Sequence, residues 1–106
     1  MSFLNLADIA SRETVPGYVG KFIHSDNITI SFFDIEAGAE SPEHAHPHEQ
    51  FTMVLEGQFE LTVDGEPHVM EPGIVVMIPG NVPHSGRAIT ACRLCDVFHP
   101  VREEYR

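Results

Sequence analysis

The chain is poor in positive charge. Six Lys and Arg face sixteen Asp and Glu, for a formal charge of −10. Such a field repels phosphate backbones and anionic headgroups, which argues against nucleic acid and membrane surfaces as partners. Long apolar runs are also missing, and none approaches the roughly 20 residues a spanning helix needs. Residues 1–10 carry no basic segment of the kind that opens a secretory leader, so a cytoplasmic location is expected. With only two cysteines, a disulfide framework is excluded. Cys92 and Cys95 form a single CxxC in a segment that reads as a strand. Residues three apart on a strand point to opposite faces, so we read them as two separate thiols rather than a redox pair or half a zinc site. Helical periodicity is nearly absent: Phe3, Leu6, Ala7 and Ala10 alone are spaced for one apolar face. Tryptophan is lacking, but seven Phe and two Tyr remain. They join Val, Ile and Leu in a core large enough for one domain of 106 residues.

What is present is a series of short extended runs punctuated by Gly, Pro and Asx residues, the pattern of an all-β sandwich or barrel. Residues 19–24 and 28–35 read as strands joined by a turn at Ser25, Asp26 and Asn27, and residues 36–42 as a loop. Strands follow at 50–56 and 58–63. The second alternates Phe59, Leu61 and Val63 against polar residues, so it should be half buried. Asp64-Gly65 predicts a tight hairpin, since both positions of a type I′ turn need positive φ. Residues 74–78 are apolar on both faces, which predicts an interior strand covered on each side. A last long strand spans about 88–98, stopped before the charged tail by Pro100. We divide the domain, residues 1–106, into N-terminal strands and arm (1–35), a metal-binding core (36–99) and a tail (100–106).

Chemistry concentrates at His44, His46, His48, Glu49 and Gln50. Imidazole is the commonest ligand for divalent transition metals. In an extended chain His44, His46 and Gln50 leave the same face while Glu49 points away, which makes Gln50 the better fourth ligand. His48 shares that parity and could be a ligand, a substrate contact or a rim residue. His84, just beyond the strand at 74–78, is placed to turn back toward the pair. His24, His68 and His99 carry no ligand spacing and read as structural or surface residues. Three neutral imidazoles and a neutral amide leave an ion's charge uncompensated, and hence strongly Lewis-acidic.

Gly38, five residues, His44-x-His46, three residues, Gln50, six residues and Gly57 resemble the first cupin motif, with Gln50 where Glu is usual. Gly73, five residues, Pro79 and then His84 resemble the second, with Asn81 in place of its second Gly and Ala88 where Asn is common. The resemblance covers about the last two-thirds of the chain. It implies a single-domain cupin jelly-roll barrel (a double-stranded β-helix) around one divalent metal ion, which could be Ni, Zn, Fe, Mn or Co. A narrower similarity links Gln50, Asp96, Phe98 and Arg102 to the pectin-degradation cupins of the KdgF type, which linearise 4,5-unsaturated uronates.

That similarity implies a small anionic sugar substrate from pectin or alginate, with Asp96 and Arg102 catalytic and Phe98 in substrate contact; His48, by its strand parity, is a further candidate substrate contact. Asp96 and Phe98 share strand parity, so both should face the interior. Asp96 could move a proton or orient a neighbouring group. Arg102 could clamp a carboxylate bidentately or be a solvated charge. Phe98 could be plain core. Two other readings remain: a cupin dioxygenase, which usually has a carboxylate ligand, and a non-catalytic sugar-binding or sensory cupin. Phe51, Met53 and Leu55 should point away from the ligand face, so another strand, the N-terminus or a partner must cover them, and a homodimer is expected.

Overall fold

In the computed structural model, which describes residues 2–106, ten strands form two antiparallel sheets. They are β1 (Arg12–Val15), β2 (Tyr18–His24), β3 (Thr29–Ile35), β4 (Glu40–His44), β5 (Glu49–Glu56), β6 (Phe59–Val63), β7 (Glu66–Met70), β8 (Val75–Ile78), β9 (His84–Ala88) and β10 (Cys92–His99). The first sheet runs β1-β2-β3-β10-β5-β8 and the second β4-β9-β6-β7. The all-β expectation holds, but the closed barrel does not. The ladders stop at β1 and β8 in one sheet and at β4 and β7 in the other, which leaves two open sheets around one core. Closure fails where the chain changes sheets. The β8–β9 passage contains Pro79 and Pro83, which have no N–H to extend a ladder. At the β5–β6 passage Gly57 takes φ +85°, and a Cβ there would lie 2.2 Å from the Ala91 carbonyl oxygen.

Alternation sets the interior. On β3 the inward series is Thr29, Ser31, Phe33 and Ile35, and on β10 it is Cys92, Leu94, Asp96 and Phe98. Register aligns them in rows: Gly20, Phe33, Leu94 and Val54 in one, Ser31, Asp96 and Thr52 in the next, and Thr29, Phe98, Gln50 and Ile78 beyond. From the second sheet Phe59, Leu61, Met70 and Ala88 complete the core. Asp64 and Gly65 take φ +50° and +81°, as the hairpin requires.

Three local expectations change. Residues 74–78 do not form an interior strand. β8 is a sheet edge paired only with β5, and Val75 and Met77 are 56% and 50% exposed. The run at 88–98 is two strands in different sheets, separated at residues 89–91. Residues 40–42, expected as the end of a loop, belong to β4. The N-terminal apolar spacing, which fits a short helix or an arm alike, corresponds to a one-turn 3₁₀ helix, Leu6–Asp8, whose residues are exposed. Cys92 and Cys95 are free thiols on opposite faces of β10, as expected.

Candidate metal centre and adjoining cavity

β4, β9 and the segment before β5 bring three histidines together. His44 and His84 are register partners on β4 and β9, with ring centroids 4.3 Å apart. His46 follows β4, its ring 5.7 Å from His44 and 5.0 Å from His84. One potential donor atom from each lies within 4.8 Å of the others.

Their tautomers follow from simple hydrogen-bond logic. His44 Nδ1 faces the Pro42 carbonyl at 2.9 Å, His46 Nδ1 that of His48 at 3.1 Å, and His84 Nδ1 that of Val82 at 2.9 Å. A carbonyl only accepts, so each Nδ1 carries the hydrogen and each Nε2 a bare lone pair. His84 Nε2 is buried without any protein partner. His46 Nε2 faces Gln50 Oε1 at 3.0 Å, a second lone-pair donor. Protons do not fill this space near neutrality. Burial first, then the charges of Arg102 and His84, push His46 down to about 4, and burial likewise lowers His84. A buried, unpartnered nitrogen amid converging lone pairs fits one divalent cation, and its identity is left open by this donor set.

Gln50 is the second residue of β5, buried, while Glu49 before it is exposed, as parity predicts. Its Nε2 donates to Thr52 Oγ1 at 2.8 Å, and Thr52 Oγ1 donates to Asp96 Oδ1 at 2.6 Å. Ser31 Oγ donates to Asp96 Oδ2 at 3.4 Å. Burial raises Asp96 to about 6, against the opposing pull of hydrogen bonds from Thr52 and Ser31, the charge of Arg102 and, last, the Gln50 amide.

A cavity of about 340 Å³ adjoins the histidines, with His44, His84, Gln50, Asp96, Phe98 and Arg102 on its wall. Arg102 is buried rather than solvated. Its guanidinium lies 4.9 Å over Phe98 and 4.2 Å over Tyr105, and its Nε pairs with Glu104. Its terminal Nη groups make no hydrogen bond to the described residues. Phe98 is both core and cavity wall.

His48 lies outside the group of three donors, but its ring is 5.3 Å from that of His46 and 6.4 Å from that of Phe98, and its Nδ1 is buried without a partner. Pro47 turns the chain, and the His48 carbonyl supports His46. His24 is structural, held between Thr29 and the Tyr105 carbonyl, while His68 and His99 are exposed. The sequence reading did not single out Thr52, Ser31 or Tyr18. Thr52 shares the parity of Gln50, a usable signal, whereas Ser31 becomes visible only through register with Asp96. Tyr18 precedes the expected strand start. Its buried hydroxyl reaches the cavity with only a weak contact to the Ser41 backbone, and burial and the Asp96 charge keep it protonated.

Two open sheets with a three-histidine centre define a metal-binding cupin architecture. A family model described as Cupin domain matches residues 31–98, and the chain belongs to that family. An RmlC-like cupin from Shewanella frigidimarina NCIMB 400 superposes with TM-score 0.94 at 27% identity, covering 100% of this chain and 96% of that one. KdgF from a Halomonas species gives TM-score 0.93 at 25% identity, with 100% and 99% covered. Among curated relatives, the HTH-type transcriptional regulator NimR of Escherichia coli K12 is 35% identical over 69 residues. That match covers 62% of this chain and 25% of NimR, so the chain corresponds to a quarter of the regulator's length.

Proposed function

We propose that the protein is a metal-dependent enzyme that converts 4,5-unsaturated uronate monosaccharides from pectin or alginate into linear ketouronates. The observation that carries this reading is the three-imidazole cluster opening on a cavity whose wall holds a buried carboxyl, Asp96, and a buried guanidinium, Arg102. The likeness to KdgF across the whole chain supports it.

His44, His46 and His84, with Gln50 Oε1, would hold the ion. When bound, the ion supplies positive charge against negative charge developing on substrate oxygens. Arg102 offers its Nη groups to the sugar carboxylate, and Phe98 packs against the ring. The conversion is an isomerisation: the anomeric hydroxyl gives up its proton, the bond from that carbon to the ring oxygen breaks, and a proton is added at C4 of the resulting enol. No oxidant, reductant or water is consumed. Asp96, fixed by Thr52 and Ser31, relays the proton.

The test is loss of the ultraviolet absorbance of lyase-generated unsaturated monouronate. Metal-loaded protein should accelerate it, and Asp96→Asn should slow turnover by about 10²–10⁴-fold per bound metal ion. No acceleration over buffer would remove the assignment. The similarity to NimR favours a second reading, a metal-containing barrel-less sensor domain. Uronate binding in calorimetry without product would select it.

We also propose that the protein is a homodimer. Phe51, Leu55, Val75 and Met77 form an exposed apolar face on β5 and β8 that no described residue covers, and a second copy would bury it. A constant monomer mass in light scattering across concentrations would contradict this.

A further inference from the structure

The amide of Gln50 has two ways to face the histidines, and they have opposite consequences. With oxygen inward, Gln50 offers a lone pair to a cation. With nitrogen inward, it would donate to the bare Nε2 of His46, a favourable neutral hydrogen bond that caps a ligand lone pair. Left alone in a metal-free site, an amide would take the second arrangement. The hydrogen-bond chain behind it prevents this. Asp96 accepts from Ser31 and from Thr52, the latter at 2.6 Å. Thr52 has one hydroxyl hydrogen, and Asp96 takes it. The Thr52 oxygen can therefore only accept from Gln50, which it does from Nε2 at 2.8 Å. A reversed amide would set its carbonyl oxygen against that oxygen with no hydrogen between them. All four residues are buried, so no solvent relieves such a mismatch.

We propose that Thr52 is a positioning residue that sets the polarity of the Gln50 carboxamide, holding its oxygen toward the three imidazoles and so creating the fourth donor of the metal centre. The inference rests on the metal reading of the histidine cluster. It gives the polar row across the sheet, Ser31, Asp96 and Thr52, a task separate from proton transfer: Asp96 polarises the hydroxyl, and the hydroxyl orients the ligand.

The test uses Co(II) as the probe, with affinity measured by chelator competition and coordination by visible absorption. Thr52→Val should weaken Co(II) binding by about 10–100-fold and alter the ligand-field bands, while Thr52→Ser keeps affinity within about threefold. A carboxylate presents oxygen in either orientation. In a Gln50→Glu background, Thr52→Val should therefore change affinity by less than about threefold. Should Thr52→Val lack the wild-type circular dichroism, Thr52→Ala is compared in both backgrounds instead. Wild-type affinity and spectrum in the residue-52 variant, or an equal loss in the Gln50→Glu background, would overturn the proposal. Absence of Co(II) binding by the wild-type protein would overturn the metal centre as well, and so separates the two failures.

Discussion

The two ends of the interior use the same strands for different purposes. At one end Phe33, Leu94 and Val54 lie in register and meet Phe59 and Leu61 from the facing sheet. One inward position further along β10, Leu94 gives way to Asp96, flanked by Ser31 and Thr52, with Gln50 and the histidines beyond. The backbone geometry is continuous between them. The difference teaches that this fold carries its site as a substitution within its own core: the apolar rows supply stability, and the polar rows hold together through a closed hydrogen-bond chain and, on our reading, through a cation.

Breaking the apolar end should give the largest effect. Phe33→Ala is expected to lower unfolding free energy by about 3–5 kcal/mol in denaturant titration, with Co(II) affinity under native conditions unchanged. If metal affinity fell with stability, the two ends would not be separable.

The polar end should reveal itself through pH in the chelated protein. Burial holds Asp96 at about 6 against 3.8. Between those values the native state binds the proton more readily than the unfolded chain. Stability from this group is therefore gained as pH falls from 6 to 3.8 and lost as it rises, by roughly 3 kcal/mol in all. His46, lowered to about 4 from 6.5, and His84 act in the opposite sense below pH 6.5, where the unfolded chain takes up protons first. Comparison with Asp96→Asn isolates the carboxyl: wild type should gain on the variant from pH 7 to pH 4. A constant difference would contradict a buried, destabilised carboxylate.

Next in size is His84→Ala. At a free metal concentration 100-fold above the wild-type Kd, the wild-type protein should gain about 2.7 kcal/mol, an increment absent from the variant in thermal melts read with and without chelator. Tyr18→Phe should be the smallest perturbation, within about 1 kcal/mol in stability, because the hydroxyl meets only a weak contact with the Ser41 backbone. A greater loss would mean the phenol is structural rather than offered to the cavity.

Much of this division was legible beforehand. Alternation placed Gln50, Asp96 and Phe98 inward, the histidine spacing marked the centre, and Asp64-Gly65 marked a hairpin. What escaped depends on pairing. The apolar run in β8 looks interior, yet nothing local says that it ends a sheet. Ser31 and Thr52 are unremarkable until register sets them on either side of Asp96. The expected closed barrel fails for the same reason, because ladder continuity is a property of strands meeting in space. Arg102 stood in a charged run, and its burial follows only from the rings of Phe98 and Tyr105 packing over it.

Anomalous diffraction from crystals of the metal-loaded protein, collected at the absorption edge of the bound ion, tests the central claim most directly. The account predicts one strong peak per chain, about 2.1 Å from Nε2 of His44, His46 and His84. A peak bound elsewhere, or none at the three imidazoles with metal in excess, would contradict it.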